Sequence, residues 1–291
     1  MVILMFLKMN IRIGIIGKGF VGSAVEYGFS CDSNFKSQIK IFDKNPSLSK
    51  HSLSETINSS DFIFVSVPTP AKLGGEIDLK ILDKALFEIN ECRKNNCIIL
   101  IRSTITPGTS EMFSKKYPKL KIVFNPEFLT EKNANEDFIN QSRIILGGDK
   151  NLTKKVSELY KKRFGERIHI IETNFQTAEL IKYMNNCFLA TKISFMNEMK
   201  LLSNKVNANW DQAIEGFIAD PRVGNSHFNV PGHDGKYGFC GSCFPKDIQA
   251  LIKFGEQIDI DTEVLKAVWK TNLKVRPEKD WEELKGRAVT D

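Results

Sequence analysis

The stretch IRIGIIGKGFVG, residues 11–22, decides the fold of this chain. Its first six residues are mostly isoleucine, which is typical of a strand that is buried on both faces. Gly17, Gly19 and Gly22 follow with the spacing GxGxxG, directly before a segment with helical periodicity. Glycines at these positions permit a tight turn, close approach of the backbone to a pyrophosphate, and close packing of helix on strand. The pattern therefore predicts a strand, a phosphate-binding turn and a helix.

Asp43 strengthens the dinucleotide-binding interpretation. It stands at the end of the second predicted strand, roughly 20 residues after the glycine turn. Dinucleotide-binding sites of this kind have an acidic residue at this spacing. A carboxylate there accepts hydrogen bonds from the adenosine ribose hydroxyls and repels a 2′-phosphate. We therefore expect the cofactor to be NAD rather than NADP. A glycine turn beside a solvated aspartate is the alternative interpretation.

Short apolar runs alternate with helical stretches up to about residue 172. The predicted strands are residues 11–16, 39–42, 62–67, 98–101, 122–124, 144–146 and 168–170. Continuous apolar runs that are separated by helices indicate a mostly parallel sheet covered on both faces. The predicted fold class is therefore α/β, with a doubly wound sheet of the Rossmann type.

The pattern changes after the last predicted strand. Residues 174–207 contain neither proline nor glycine and carry apolar side chains at helical spacing, which predicts one long helix. Shorter helices are expected near residues 210–218, 245–254 and 262–273. The predicted organisation is an NAD-binding domain over 1–173, a connecting helix over 174–207, a smaller helical domain over 208–275, and a polar, peripheral tail over 276–291.

Composition and charge exclude several classes of protein. The chain has 291 residues, of which 42% are hydrophobic and 26% charged, so it can bury a sizeable core. The net charge is +6 and the pI near 8.9, but basic and acidic residues are interspersed. The densest basic stretch, residues 154–167, is amphipathic and indicates a solvated helix face rather than a nucleic-acid site. A mild positive field would still attract an anionic substrate such as a nucleotide.

The amino-terminal segment and the cysteines indicate a cytoplasmic protein. The opening MVILMFLKMN has no basic segment before its apolar run and no cleavage site after it, so we expect no signal peptide. No apolar run approaches the length of a membrane span. Met9 is an alternative start, which would leave the first eight residues as a dispensable arm. Six cysteines without regular scaffold spacing are expected to be reduced thiols.

The segment YGFCGSCFPKD, residues 237–247, carries the chemistry most directly. A cysteine on a glycine-flexed loop beside a lysine can be held as a thiolate and approached by a substrate carbon. Three interpretations compete: a buried structural thiol, a metal or redox pair formed by Cys240 and Cys243, and a nucleophile at Cys243. Zinc needs two further ligands, for which the other cysteines and the four histidines offer no matching pair, so no metal is predicted.

Four segments behind the glycine motif carry a family resemblance. They are RSTITPGT (102–109), NPEFLTEKNANED (125–137), AELIKYMNNCFLA (178–190) and GFCGSCFPKD (238–247). In this order and over about residues 10–275, the chain resembles the UDP-glucose/GDP-mannose 6-dehydrogenase family. The resemblance implies an NAD-dependent oxidation of a nucleotide sugar, and it favours Cys243 as the nucleophile.

The resemblance also implies the roles of individual residues. Catalytic roles fall to Cys243, Lys182, Asn186, Asp247, Glu127, Glu131 and Thr104. Cofactor contacts fall to Gly17, Gly19, Phe20, Val21, Gly22, Asp43, Pro68, Thr69, Ser103 and Thr104. Substrate contacts fall to Glu127, Phe128, Leu129, Lys182, Arg222, Tyr237 and Gly238. By similarity, Arg222 reaches the sugar substrate, in some enzymes from a neighbouring subunit, and the long helix is the spine of a homodimer.

The implied roles agree with the chemistry of the residue types. Lys182 and Asn186 lie four residues apart on the long helix, so both project from one face and can stabilise an oxyanion. Glu127 and Glu131 follow a strand end, where open α/β sheets place their ligands. Without the resemblance, the first pair would be an ordinary polar stripe and the second pair surface carboxylates.

The implied reaction is a four-electron oxidation. A primary alcohol gives an aldehyde, Cys243 captures it as a thiohemiacetal, a second oxidation gives a thioester, and water releases a carboxylate. UDP-glucose is the expected substrate and UDP-glucuronate the product; other UDP-sugars and GDP-mannose remain open. The alternatives are a two-electron hydroxy-acid dehydrogenase, which has no need of Cys243, and a non-catalytic NAD-binding or redox-sensing protein.

The chain departs from the family pattern in two places. Members typically carry a third region that grips the nucleotide, and the sequence ends roughly where that region would start. Either residues 220–237 and a dimer partner hold the nucleotide, or the substrate differs, or another chain supplies the region. Cys240 stands where similar proteins commonly have glycine, so a disulfide with Cys243 could inactivate the site under oxidation.

Overall fold

A computed structural model of the chain describes residues 11–30, 32 and 35–290, which form two compact units. The first unit runs up to Pro68 and resumes over Leu79–Lys182. The second unit consists of Thr69–Asp78 and the chain from Tyr183 onward. The suggested alternative start at Met9 lies outside the described residues.

The described residues of the first unit form seven strands and six complete helices. The strands are β1 Ile11–Ile16, β2 Ser37–Phe42, β3 Phe62–Val65, β4 Ile98–Ile101, β5 Lys121–Phe124, β6 Ile144–Gly148 and β7 Ile170–Thr173. The helices are α1 Phe20–Ser30, α2 Leu53–Asn58, α3 Lys80–Cys92, α4 Thr109–Lys116, α5 Ala134–Ile139 and α6 Lys150–Phe164.

The strands form one sheet in the order β2-β1-β3-β4-β5-β6-β7. All neighbours are parallel except β5 and β6, which pair antiparallel. The chain leaves β1 toward one edge and returns through β3 to build toward the other, so the strand order reverses between β1 and β3. Ligands of open α/β sheets bind at the carboxyl ends of the strands at such a reversal. The predicted doubly wound, mostly parallel sheet is confirmed.

Both faces of the sheet are covered, which explains the continuous apolar runs. Alternate strand residues point to opposite faces. Thus Ile99 and Ile101 of β4 join one hydrophobic cluster, and Ile98 and Leu100 join the other. All four side chains are at most 5% exposed.

The seventh strand starts two residues later than predicted. We predicted residues 168–170, whereas β7 is Ile170–Thr173. The reason is the turn that follows α6: the N–H of Ile168 donates to the carbonyl of Gly165, so this residue closes the turn and pairing with β6 begins at Ile170. The apolar run continues through the turn, which hides the strand start.

The long helix α7, Phe175–Lys205, has 31 residues and closely matches the predicted 174–207. Its start is fixed by Asn174, whose side-chain oxygen accepts from the N–H of Thr177 at 2.8 Å. Helices α8 Trp210–Ile218, α9 Phe244–Gln257 and α10 Glu263–Val275 follow, confirming the smaller helical region. None of the described helices is long and apolar enough to cross a membrane.

The end of the chain is packed into the second unit, whereas we expected a peripheral tail. Trp281 is only 2% exposed and lies 5.3 Å from the ring of Trp269, centroid to centroid. The final residues also pair with the Thr69–Asp78 segment, because the N–H of Ala71 donates to Ala288 and its carbonyl accepts from Thr290. A single tryptophan inside a polar sequence gives no periodic signal, so the sequence did not reveal this packing.

Candidate active site

The glycine-rich turn has the shape that a dinucleotide requires. Gly17 has a φ of +92°, and a Cβ there would lie 2.7 Å from the carbonyl oxygen of Ser66. A Cβ on Gly22 would lie 1.9 Å from the carbonyl oxygen of Gly17, so only glycine lets α1 pack this closely. A Cβ on Gly19 would meet nothing within 4 Å. The turn therefore leaves open space beside the amino end of α1, where N–H groups can bind a pyrophosphate.

Asp43 is tied directly to this turn. Its carboxylate accepts from the N–H of Lys18 at 2.5 Å and from the N–H of Asn45 at 2.7 Å. A carboxylate has about four lone-pair sites, so acceptor capacity remains for ribose hydroxyls. The residues present thus fit NAD. Phe20 and Val21, which are predicted to contact the cofactor, are the first two residues of α1.

The remaining predicted cofactor residues divide between the two units. Pro68 ends the first part of the first unit, after β3, and Ser103 and Thr104 follow β4. The hydroxyl of Ser103 donates to the carbonyl of Val67 at 2.6 Å, which fixes the two loops to each other. Thr69 belongs to the second unit and is 5% exposed.

A buried ion pair forms the centre of the candidate site in the first unit. Lys182, on α7, donates to the backbone oxygen of Glu127 at 2.6 Å and to its Oε1 at 2.9 Å. The N–H of Leu129 donates to Oε2 of the same carboxylate at 2.6 Å. The ammonium also lies 5.3 Å from the ring centre of Phe128. The structure thus brings four of the predicted substrate-contact residues together.

The charge state of Glu127 follows from its neighbours. Burial acts to raise the pKa of this carboxyl, but the charge of Lys182, the N–H of Leu129 and the charge of Arg102 outweigh burial and hold the pKa below its ordinary value. Glu127 is therefore a carboxylate at neutral pH and can accept a proton or orient a water molecule. Glu131, predicted beside it, is exposed.

The second unit contains its own buried polar group. The amide nitrogen of Asn186, on α7, donates to Asp247 Oδ2 at 2.6 Å, and Lys246 forms a salt bridge with Oδ1. The three residues are at most 6% exposed. Because one oxygen of Asp247 is held by each partner, the carboxylate has a fixed orientation at the start of α9.

The cysteines of the second unit differ in their environments. Cys243 caps the amino end of α9, a position where the helix dipole favours negative charge. Cys240 donates from its sulfur to Asp234 at 3.5 Å, and burial, with that carboxylate, raises its pKa to about 11 against the opposing charge of Arg276. Burial likewise raises the pKa of Cys187. Cys240 and Cys187 are therefore thiols at neutral pH, which leaves Cys243 as the better candidate nucleophile.

Three possible metal ligands lie within 4.8 Å of one another in the second unit: Asp234, Cys240 and Asp280. Arg276 is 1% exposed, and its Nη2 donates to both carboxylates at 2.5 Å. These bonds lower the pKa of Asp234 to about 2 despite its partial burial. A guanidinium therefore already pairs with both carboxylates, and the group is an ion-pair network.

The substrate residues predicted in the second unit are less closely grouped. Arg222 has a side chain that is 87% exposed and pairs with the nearby Asp220. The carbonyl of Tyr237 accepts from Arg276 at 3.1 Å. Gly238 has a φ of +72° and donates from its N–H to Asn197 at 3.0 Å, which fixes the loop before Cys240.

One buried polar network was not predicted from the sequence. Arg102, Asn125 and Tyr160 are hydrogen-bonded to one another and at most 3% exposed. The first two residues begin two of the motifs that carry the family resemblance, which was the available signal. Tyr160 lies on α6, whose many lysines indicated a solvated helix.

The fold and the glycine turn together define an NAD-binding α/β protein of the dehydrogenase type. Residues 40–164 match the NAD binding domain of the UDP-glucose/GDP-mannose dehydrogenase family, and residues 176–274 match its central domain. The chain belongs to this family. The domain match confirms the prediction of NAD as the cofactor and supports that of an oxidoreductase.

Individual relatives agree with this assignment. UDP-glucose 6-dehydrogenase of Rickettsia prowazekii is 38% identical over 229 residues, which are 77% of this chain and 51% of that protein. The structure of a UDP-glucose dehydrogenase from Pyrobaculum islandicum has a TM-score of 0.81 at 28% identity, over 91% of this chain and 68% of that one. UDP-D-ManNAc dehydrogenase from Pyrococcus horikoshii shares the fold, with a TM-score of 0.76 at 22% identity over 91% and 69%. The chain spans about half the length of the rickettsial relatives.

Proposed function

We propose that this protein oxidises the C6 primary alcohol of a nucleotide sugar to a carboxylate, with UDP-glucose as the first candidate substrate and Cys243 as the nucleophile. The observation that carries the proposal is the placement of Lys182 and Asn186 four residues apart on α7, each bonded to a buried carboxylate. Family membership and the position of Cys243 at the head of α9 support the same chemistry.

The first half of the reaction converts the alcohol to an aldehyde. NAD, when bound, supplies the hydride acceptor for both oxidation steps. The hydroxyl proton must leave as the hydride does, and the ionised Glu127 is suited to receive it through a water molecule. The ammonium of Lys182 stabilises the negative charge that develops on the substrate oxygen. Thr104 and Glu131 are assigned to positioning this water.

The second half proceeds on the enzyme itself. The sulfur of Cys243 adds to the aldehyde carbon, and the carbonyl oxygen becomes the oxyanion of a thiohemiacetal, stabilised by Lys182 and the amide of Asn186. Loss of a second hydride gives a thioester, and water then displaces the sulfur as the carboxylate forms. Asp247, held by Asn186 and Lys246, orients that water. One alcohol, two NAD and one water thus give one carboxylate, two NADH and three protons.

The nucleotide of the substrate requires binding groups beyond this chemistry. Residues 220–237 offer Arg222, whose exposed guanidinium is suited to a phosphate or sugar oxygen. We propose that this loop and a dimer partner supply the nucleotide contacts, with Phe128 and Leu129 beside the sugar.

A homodimer through α7 belongs to the same proposal. This helix exposes large apolar side chains at helical spacing, each at least 47% exposed: Met184, Phe188, Phe195 and Leu202. Phe188, Phe195 and Leu202 are separated by seven residues, the repeat that favours pairing of long helices. Apolar side chains in such a row are typical of a surface that a second copy covers.

The test is the number of NADH molecules formed per UDP-glucose consumed, in the wild type and in Cys243→Ala. We expect two in the wild type and no carboxylate from the variant. Cys240→Ala is the matched control, three residues away, and should keep the wild-type stoichiometry. One NADH per substrate with an active Cys243→Ala would favour a two-electron hydroxy-acid dehydrogenase. NAD binding without turnover on any UDP-sugar or GDP-mannose would favour the binding-only alternative.

A further inference from the structure

The charge of Arg102 is buried in the first unit without a hydrogen-bonded acid. The residue follows β4 and is 3% exposed. Its Nη1 donates to Oδ1 of Asn125 at 2.7 Å and to the hydroxyl of Tyr160 at 3.2 Å. Its Nε has no hydrogen-bond partner, and among the described residues no carboxylate lies within ion-pairing distance of its guanidinium. Both of its partners are neutral.

Such an arrangement is costly unless the charge acts on something nearby. A buried charge loses its hydration, which costs free energy. Arginine keeps its proton in proteins, so it does not avoid this cost by becoming neutral. The partners of Arg102 are themselves fixed: Tyr160 donates to Asn125 Oδ1 at 2.5 Å, and Asn125 donates to the carbonyl of Ile145 at 3.0 Å. The network therefore holds the guanidinium rigidly in one place.

The acid that feels this charge is Glu127, two residues after Asn125. Arg102 contributes to the lowered pKa of this carboxyl, after the charge of Lys182 and the N–H of Leu129 have offset burial. The groups around the Glu127 segment are thus Lys182 from α7, Arg102 from the end of β4, and Arg143, which stacks 4.3 Å from the ring centre of Phe128. Two buried cations, Lys182 and Arg102, thus lower the pKa of the buried Glu127 carboxyl.

We propose that Arg102 is a positioning residue whose fixed charge keeps Glu127 ionised while the Lys182 ammonium stabilises the negative charge on the substrate oxygen. The inference rests on the proposed function for the role of Lys182. When Lys182 turns its ammonium toward the developing oxyanion, its hold on Glu127 weakens. The immobile charge of Arg102 compensates, so Glu127 remains able to accept the hydroxyl proton while the alcohol is oxidised.

The test follows the titration of Glu127 in the protein without substrate. Carboxyl carbons of glutamate are labelled with 13C, and the Glu127 signal is assigned by its loss in Glu127→Gln. Arg102→Gln removes the charge but keeps a donor for Asn125, and it should raise the titration midpoint of Glu127. Arg102→Lys restores a charge and should return the midpoint close to the wild-type value.

Two controls separate charge from packing. Tyr160→Phe disturbs the network but leaves the guanidinium in place, so the midpoint should stay nearly unchanged. Arg12→Gln removes a side chain that is 47% exposed, paired with Asp61, and should have no effect. If Arg102→Gln does not fold, Arg102→Met replaces it. The Glu127 midpoints of Arg102→Lys and Tyr160→Phe can still be compared, because the first variant keeps the charge and the second changes the packing.

The outcomes are distinct from those of the functional proposal. An unchanged Glu127 midpoint in Arg102→Gln, or a midpoint that Arg102→Lys fails to restore, would overturn the role of Arg102 whatever the enzyme oxidises. Where turnover is present, Arg102→Gln should move the acidic limb of the pH–rate profile upward by the same interval and lower kcat more than it raises KM. Failure of every nucleotide sugar to react would overturn the proposed function and leave the titration result standing.

Discussion

The ion pair between Lys182 and Glu127 makes a quantitative prediction about stability. The two side chains are 3% and 6% exposed, so solvent screens their attraction very little. Lys182→Met leaves the carboxylate buried without its main partner, and removal of one member of a buried pair costs about 3–5 kcal/mol. Leu129 and Arg102 still hold part of the charge, so we expect the lower end of this range at neutral pH.

The loss should depend on pH, and its sign follows from the pKa of Glu127. In the wild type this pKa is lowered, so the carboxylate contributes stability above the unfolded pKa and loses it as pH falls through the folded value. In Lys182→Met the largest charge that opposes burial is gone, so the pKa of Glu127 rises relative to the wild type, and the stability is lost where this carboxyl is ionised. The difference in free energy of unfolding between the two proteins should therefore be larger at about pH 8 than at about pH 5.

Urea denaturation at the two pH values measures this difference. Lys84→Met is the matched control, because Lys84 pairs with Glu88 at 3.8 Å on the exposed side of α3, and its loss should change stability by at most about 0.5 kcal/mol. A difference for Lys182→Met that is equally small, or equal at both pH values, would refute the assignment of a buried, ionised pair.

Three further predictions concern the cofactor turn, a buried acid and the assembly. Gly22→Ala should abolish NAD binding measured by calorimetry, because its Cβ would overlap the carbonyl of Gly17. Gly19→Ala should fold normally and bind NAD more weakly, because its Cβ would fill the open space beside the turn. Burial raises the pKa of Glu179 to about 6, so this acid costs stability as pH rises through that value; Glu179→Gln should remove about 2 kcal/mol of pH dependence between pH 4.5 and 7 in urea titrations. A slope that persists in the variant would contradict this assignment. Phe188→Glu should convert the proposed homodimer to a monomer by light scattering, and an unchanged mass would place the interface elsewhere.

Local patterns in the sequence were sufficient for much of the fold. The glycine turn and the apolar runs are set by neighbours in the chain, so β1 and β4 were predicted with their observed bounds. The long helix was visible because thirty-one residues without proline or glycine leave few alternatives. The start of β7 was missed because the apolar run continues through a turn.

The parts that depend on distant residues were not accessible in this way. Thr69–Asp78 belongs to the second unit through pairing with the end of the chain, which no local pattern reports. The burial of Arg102 requires α6 to contribute Tyr160, although that helix has a strongly basic sequence. For the candidate site, the residue types came from motifs, but the bonds of Lys182 to Glu127 and of Asn186 to Asp247 required the folded chain.

The central claim is that the sugar becomes covalently bound to Cys243. The most direct measurement is mass spectrometry of the peptide containing residues 238–246, taken from Asp247→Asn that has been quenched in acid during turnover with UDP-glucose and NAD. Slower release of the thioester in this variant should let it accumulate, and we predict the mass of the acyl group on Cys243. Formation of NADH without an adduct at Cys243, or with the adduct at Cys240, would contradict the account.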